Sequence, residues 1–340
     1  MSCARFGSTP KRIRRRKITT VPNRTSSLAP ARPATTGSNR PRTRFLSGSA
    51  PILTSAVLWG TTGTASSLAP ASAPSVAIGC AGLTIGGILL LLTSRSARSL
   101  PTALTRPERW LLALGAIAVA GYPVTFYPAV TRAGVAVTTV IALGSAPVFA
   151  GLLAWATGQG RPTIRWTAST ALAVLGCTLL VLGPIFTDDS ATMDLAGAAL
   201  AAGAGLSYAA YALISGRLIT RGHPSSAVMG TMFGAAGVLV LPIVLLTDMH
   251  WLATTRGATV AAYLALFTVY LAYRLFGYGL RSTPTSVATS LTLAEPAVAA
   301  VLGIVVLGER LPAASWYGLA ALATGLLALT APSSVGQRKR

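Results

Sequence analysis

Long apolar stretches alternate with short polar breaks along this chain, and the stretches recur at nearly the same length. Runs of roughly 20 apolar residues are what a helix needs to cross a bilayer. They are continuous rather than alternating in twos, so helices, and not the strands of a barrel, are expected to satisfy the backbone in lipid. The pattern predicts ten spans, at about 51–69, 74–93, 110–130, 134–157, 165–186, 195–215, 225–247, 257–280, 284–307 and 313–332.

Composition sharpens this reading. Of 340 residues, 52% are hydrophobic and 10% charged, with a mean hydropathy of +0.62. Soluble domains carry about 25% charged residues, so this chain has too few to cover a globular surface. The net charge of +21 could suggest nucleic acid. Its placement argues otherwise: a dozen Lys and Arg crowd into residues 1–44, and most of the rest fall in short loops. With both termini cytoplasmic, the inner segments collect that cluster, Arg95, Arg98, Arg106, Arg109, Arg161, Arg165, Arg217, Arg221, Arg281 and the basic 333–340 end. The outer loops hold Arg132, Arg256 and Arg310 beside Asp188, Asp189, Asp194 and Asp248. This is the positive-inside signature of a multi-pass membrane protein rather than of a nucleic-acid partner. Residues 1–50 lack the apolar core of a signal peptide. They are expected to be a disordered cytoplasmic tail or a mis-assigned start, the next methionine being Met193. Cys3, Cys80 and Cys177 lack metal-ligand spacing, and His223 and His250 fall in loops, so neither a metal nor a cofactor is expected.

The two halves match each other. An offset of about 149 residues pairs Trp59 with Tyr208, Gly82 with Gly230, Gly86 with Gly234, Arg132 with Arg281, Pro147 with Pro296 and Trp166 with Trp316. Each half, 51–186 and 195–332, holds five spans, so the second copy enters the membrane the other way up. The expected fold is an all-α membrane protein of two inverted five-helix repeats, a build in which substrates bind near the midplane between the halves.

The stretches "AVLWGTTGT", "SAPVFAGLLAWATGQGRP" and "AEPAVAAVLGIVVLGERLP" resemble the EamA repeat of the drug/metabolite transporter superfamily. The first copy lacks the Glu-Arg pair that the second has as Glu309–Arg310. The resemblance implies an exporter of amino acids, related metabolites or drugs, working without a cofactor on a small-molecule substrate.

Glu295 and Pro296 interrupt an otherwise apolar or small-residue run. Ala288, Thr292, Glu295, Ala299 and Gly303 share one small or polar face, which turns the carboxylate toward protein rather than lipid. A charge at the centre of a span costs roughly 2.5–3.5 kcal/mol. Keeping a carboxyl protonated about two pH units above its ordinary range costs a similar 2.7 kcal/mol or so. A proton-binding role for Glu295 is therefore physically reasonable, and a structural ion pair is the competing reading. Arg274 is its candidate partner, on a stripe with Tyr263, Phe267 and Tyr270; snorkelling to the interface would also satisfy it. Tyr273, Tyr208, Tyr211 and Trp59 are further cavity candidates. Pro147 and Pro296 each remove a backbone donor, and are expected to kink spans 4 and 9 at matched depth. The paired GxxxG motifs, Gly82 with Gly86 and Gly230 with Gly234, are expected to pack helices within the bundle. "GTTGT" at 60–64 lacks the Lys of a phosphate loop. An uncoupled facilitator, or an enzyme acting on a lipid-linked substrate, are the alternatives to a proton-coupled exporter. The enzyme would need an acid–base cluster that the loops do not supply. The oligomeric state stays open.

Overall fold

The computed structural model describes residues 40–182, 194–308 and 310–331, and all regular secondary structure among them is helical. The tail up to residue 39, Asp188 and Asp189, Glu309 and the basic 333–340 end lie outside the described residues. In chain order the helices are α1 (Arg40–Gly60), α2 (Thr62–Ser67), α3 (Ser75–Thr93), α4 (Leu100–Ala103), α5 (Arg106–Ala156), α6 (Ile164–Leu182), α7 (Leu195–Thr220), α8 (Ser225–Leu246), α9 (Thr255–Tyr263), α10 (Ala272–Gly279), α11 (Thr285–Leu291), α12 (Ala294–Leu307) and α13 (Ala313–Thr330). A π-helical segment, Leu264–Leu271, joins α9 to α10.

Among the described residues, eight helical passages are long and apolar enough to cross a membrane. Several differences from the periodicity reading have local causes. Spans 3 and 4 follow one another without an intervening loop, as two arms of α5 that meet at a kink at Gly134, whose φ of 80° suits a residue without a Cβ. Span 1 is shared between α1 and α2. Its helix starts at Arg40, inside the segment expected to be a disordered tail. The reason is packing: Gly48 lies so close to Thr283 that a Cβ there would sit 2.5 Å from the threonine hydroxyl.

The prolines do not act alike. Helix α5 runs through Pro147 without leaving helical geometry. Before Pro296 the chain instead tightens into three-residue turns, Leu293 N–H donating to Ser290 O at 3.2 Å and Glu295 N–H to Thr292 O at 3.0 Å. The carbonyl that a proline would orphan is thus satisfied one residue early, and a new helix, α12, begins at Ala294.

Glycine sets how the helices pair. Residue α3 Gly87 meets the Phe233 backbone on α8, and a Cβ on Gly230 would lie 2.8 Å from Leu90 O. The Gly82–Gly86 side of α3 presses on the π segment instead, where a Cβ on Gly86 would lie 2.7 Å from Ala265 O. Helices α6 and α13 approach through Gly176, Gly318 and Gly325; a Cβ on Gly318 would come 2.7 Å from Gly176 O. The second and fifth long passages of the first half thus each pair with their own counterparts in the second. Helix α7 lies along both arms of α5 and is tied to it at each end. Arg132 pairs with Asp194 at 3.4 Å, and Glu108 with Arg221 at 3.3 Å and His223 Nε2 at 3.6 Å. Asp194 also caps α7, accepting from the N–H groups of Ala196 and Gly197. The Gly197 N–H, helped by Ala196 and Arg132, holds its carboxyl below the ordinary aspartate range.

The outer surface stays apolar. Leu246, Val305 and Leu327 are 87%, 74% and 69% exposed, a pattern that fits a lipid surround. Trp110 and Trp316 are exposed near the beginnings of their helices, where interfacial aromatics anchor a membrane protein.

Gly318→Val should cost about 1–3 kcal/mol or more through overpacking between α6 and α13, read as a lower unfolding temperature in detergent. Gly63→Ala, where nothing lies within 4 Å of the added carbon, should be neutral or slightly stabilising.

Candidate functional site

A cavity of about 210 Å³ lies between the two halves, lined by α1–α3, both arms of α5, α7, the π segment, α10 and α12. One end is an aromatic cluster. Trp59 on α1 lies 4.9 Å from Tyr273 on α10 and 6.2 Å from Tyr208 on α7, ring centre to ring centre. Tyr211 and Phe233 complete the cluster, Phe233 only 4.0 Å from Tyr273. Each polar tip has a partner, as buried aromatics require. Trp59 Nε1 donates to Thr268 O at 2.8 Å, and the Tyr211 and Tyr273 hydroxyls bond each other at 2.9 Å. Tyr208 bonds Thr292 Oγ1 at 2.9 Å; Thr292 gives its own proton to Thr289 O, so Tyr208 is the donor.

From this floor the cavity extends past Glu295 toward Thr62, Ser66, Ile78, Phe126 and Tyr127. That is the face of the bundle where α1 and α2 end and α3 begins. Tyr122 stacks on Phe126 at 5.4 Å and 12° along this wall.

Two backbone irregularities shape the site. The π segment contributes Leu264, Thr268 and Val269 to the lining. The tight turns at 290–295 place Glu295 in the first turn of α12. Among the described residues, no Arg, Lys or His lies within 4 Å of its carboxylate, and none lines the cavity. The α1 backbone comes close behind it: a Cβ on Gly60 would meet Glu295 O at 2.8 Å.

Of the residues singled out from sequence, Glu295, Trp59, Tyr208, Tyr211 and Tyr273 share this cavity, together with Gly82. Arg274 and Tyr270 do not. Arg274 is exposed on α10 and donates to Oη of the half-buried Tyr270, in the π segment, at 3.2 Å. The expected Glu295–Arg274 pair is therefore absent, because at helical spacing Tyr273 and Arg274 project about 100° apart and only one can face inward. Pro147 and Pro296 stand behind the lining rather than in it. The sequence reading missed Tyr122, Pro123, Phe126 and Tyr127. Their stretch "GYPVTFYP", two prolines and three aromatics inside one span, was the available signal.

Comparison with known proteins places this geometry in a wider group. A family model described as "EamA-like transporter family" matches residues 46–182 and again 195–331. A protein of Bacillus subtilis named "Uncharacterized transporter YwfM" is 40% identical over 284 residues, covering 82% of this chain and 92% of that protein. The "Threonine/homoserine exporter RhtA" of Salmonella typhimurium is 33% identical over 188 residues, 54% of this chain and 61% of its own. A solved crystal structure superposes with a TM-score of 0.68 at 19% identity, over 83% of this chain and 96% of its own, and so shares the fold.

Tyr211→Phe leaves the Tyr273 hydroxyl without its partner and should lower stability by about 1–3 kcal/mol, seen as a reduced unfolding temperature. Tyr270→Phe, on the outer face, should move it by less than about 0.5 kcal/mol.

Proposed function

This chain belongs to the EamA-like transporter family, and from that premise we propose that it exports a small amine-bearing metabolite by alternating access, with Glu295 as the coupling carboxylate. It is a multi-pass membrane transporter rather than an enzyme. Ten passages follow if α5 is counted as two and α1 with α2 as one. An even number puts both termini on one side, and the arginine distribution puts that side in the cytoplasm of a bacterial cell. The five-passage halves then run in opposite directions.

In this orientation the aromatic floor lies toward the cytoplasm and the Ser66–Tyr127 end opens outward. The inward-open state requires the Tyr211–Tyr273 and Trp59–Thr268 bonds to part. Movement at the 290–295 turns and in the π segment is the natural source of that change, since neither is held by an unbroken α-helical ladder.

The observation that carries the reading is the carboxylate of Glu295 on an aromatic cavity that holds no basic side chain. Such a group needs a cation, and a proton or a substrate ammonium can each supply one. A substrate carboxylate would find only hydroxyl donors there. Amino-acid export is supported by the relatives named threonine/homoserine exporters, one of which matches about half of this chain.

Two experiments test this. Glu295→Gln, reconstituted in vesicles with a pH gradient, should transport no faster than without the gradient while reaching wild-type expression; unchanged gradient-driven flux would remove the coupling role. Ser66→Cys in a Cys3→Ser background should react with an impermeant maleimide added outside intact cells, because Cys80 and Cys177 are buried. Labelling only from the cytoplasmic side would reverse the orientation.

A further inference from the structure

The outer side of the chain at α10 carries two arginines and two tyrosines that do not line the cavity. Tyr270 near the end of the π segment, Arg274 and Tyr278 on α10, and Arg281 in the turn beyond it follow one another at spacings of four, four and three residues. The Arg274 guanidinium lies 5.7 Å from the centre of the Tyr270 ring, and that of Arg281 lies 5.2 Å from Tyr278. Both arginines are exposed, and Tyr278 is 50% exposed. Among the described residues no carboxylate lies within 4 Å of either guanidinium. The rest of α10 is covered by α1, α8 and the π segment.

This face belongs to the last turns of an apolar passage, Thr255–Gly279, long enough to cross the bilayer. Arg274 sits five residues, about 8 Å, before its end. A guanidinium at that depth on a lipid-facing surface is costly unless its stem carries it to the polar edge and an anion meets it there. Arg274 has five N–H donors, and Tyr270 takes one. Arg281, about 10 Å nearer the water, adds a second unpaired charge on the same side.

We propose that the Tyr270–Arg274–Tyr278–Arg281 face binds the headgroup phosphate of an anionic phospholipid. The guanidinium fork of Arg274 takes the phosphate oxygens bidentately, as this group does in general. The two rings hold the arginines over the aromatic surface, and Arg281 supplies the charge that separates anionic from zwitterionic headgroups. The site is independent of Glu295 and of the direction of transport.

The test uses the full chain purified in detergent, with added phosphatidylglycerol, phosphatidylcholine or inorganic phosphate, followed by native mass spectrometry and thermal unfolding. The wild type should retain phosphatidylglycerol over phosphatidylcholine and show no shift with inorganic phosphate. Each arginine near an anionic surface is worth about fivefold, so Arg274→Gln with Arg281→Gln should cut that preference roughly 25-fold. Arg274→Lys should recover part of it, keeping the charge but not the fork. Equal retention of both lipids by the wild type, an unchanged preference in the double variant, or displacement by inorganic phosphate would overturn the proposal. So would a dimer whose loss, rather than lipid loss, accompanies the substitutions. If the double variant does not fold, Arg281→Gln alone, beyond the helix end, must lower the preference about fivefold.

Discussion

A chain that enters hydrocarbon must satisfy its backbone hydrogen bonds from within, because an unpaired amide or carbonyl has no water to turn to. The helices of this protein meet that demand, and two of the places where the α-helical pattern changes face the cavity. In the π segment the Thr268 carbonyl accepts from Trp59 Nε1. The tight turns at 290–295 close the Thr292 carbonyl one residue early and start a helix at the carboxylate. Irregular backbone is tolerated there because protein, not lipid, surrounds it.

Close helix approach is the other half of the arrangement. Glycines on α3, α6, α8 and α13 let backbones come within contact distance, so the bundle is held by packing between small surfaces rather than by apolar burial, which lipid already provides. That leaves the larger side chains free for the interior. Trp59, Tyr208, Tyr211, Phe233 and Tyr273 occupy it as a bonded cluster contributed by both halves. The same cluster closes one end of the cavity and forms a wall of its binding space. In the proposed cycle gate and site are therefore one object, and a change that opens the gate also reshapes the site.

The charges divide by location. Arg132 with Asp194 and Glu108 with Arg221 and His223 bind α5 to α7 at opposite ends, where water is near. Such exposed pairs contribute little energy each, but they tie a helix of the first half to one of the second at both ends. Glu295 stands apart in the cavity, and Arg274 stands apart on the outer face. Each lacks an ionic partner within the described chain, so each points to something outside it: a cation for one, an anionic headgroup for the other.

Much of this was legible in the residues alone. Apolar run length requires helices, and the nearly constant offset reveals the repeat, because each depends on local composition and spacing. Glu295, Trp59 and the tyrosines could be chosen as chemistry-bearing for the same reason. Three things could not be read that way. The direction in which Tyr273 and Arg274 point, one inward and one outward, depends on which face of α10 its neighbours cover. The unequal behaviour of Pro147 and Pro296 depends on whether nearby donors can take up the carbonyl each would orphan. The meeting of Trp59 with Thr268, 209 residues apart, depends on how two repeats fold against each other. Periodicity marks which residues can share a face; only the packed neighbours decide what that face meets.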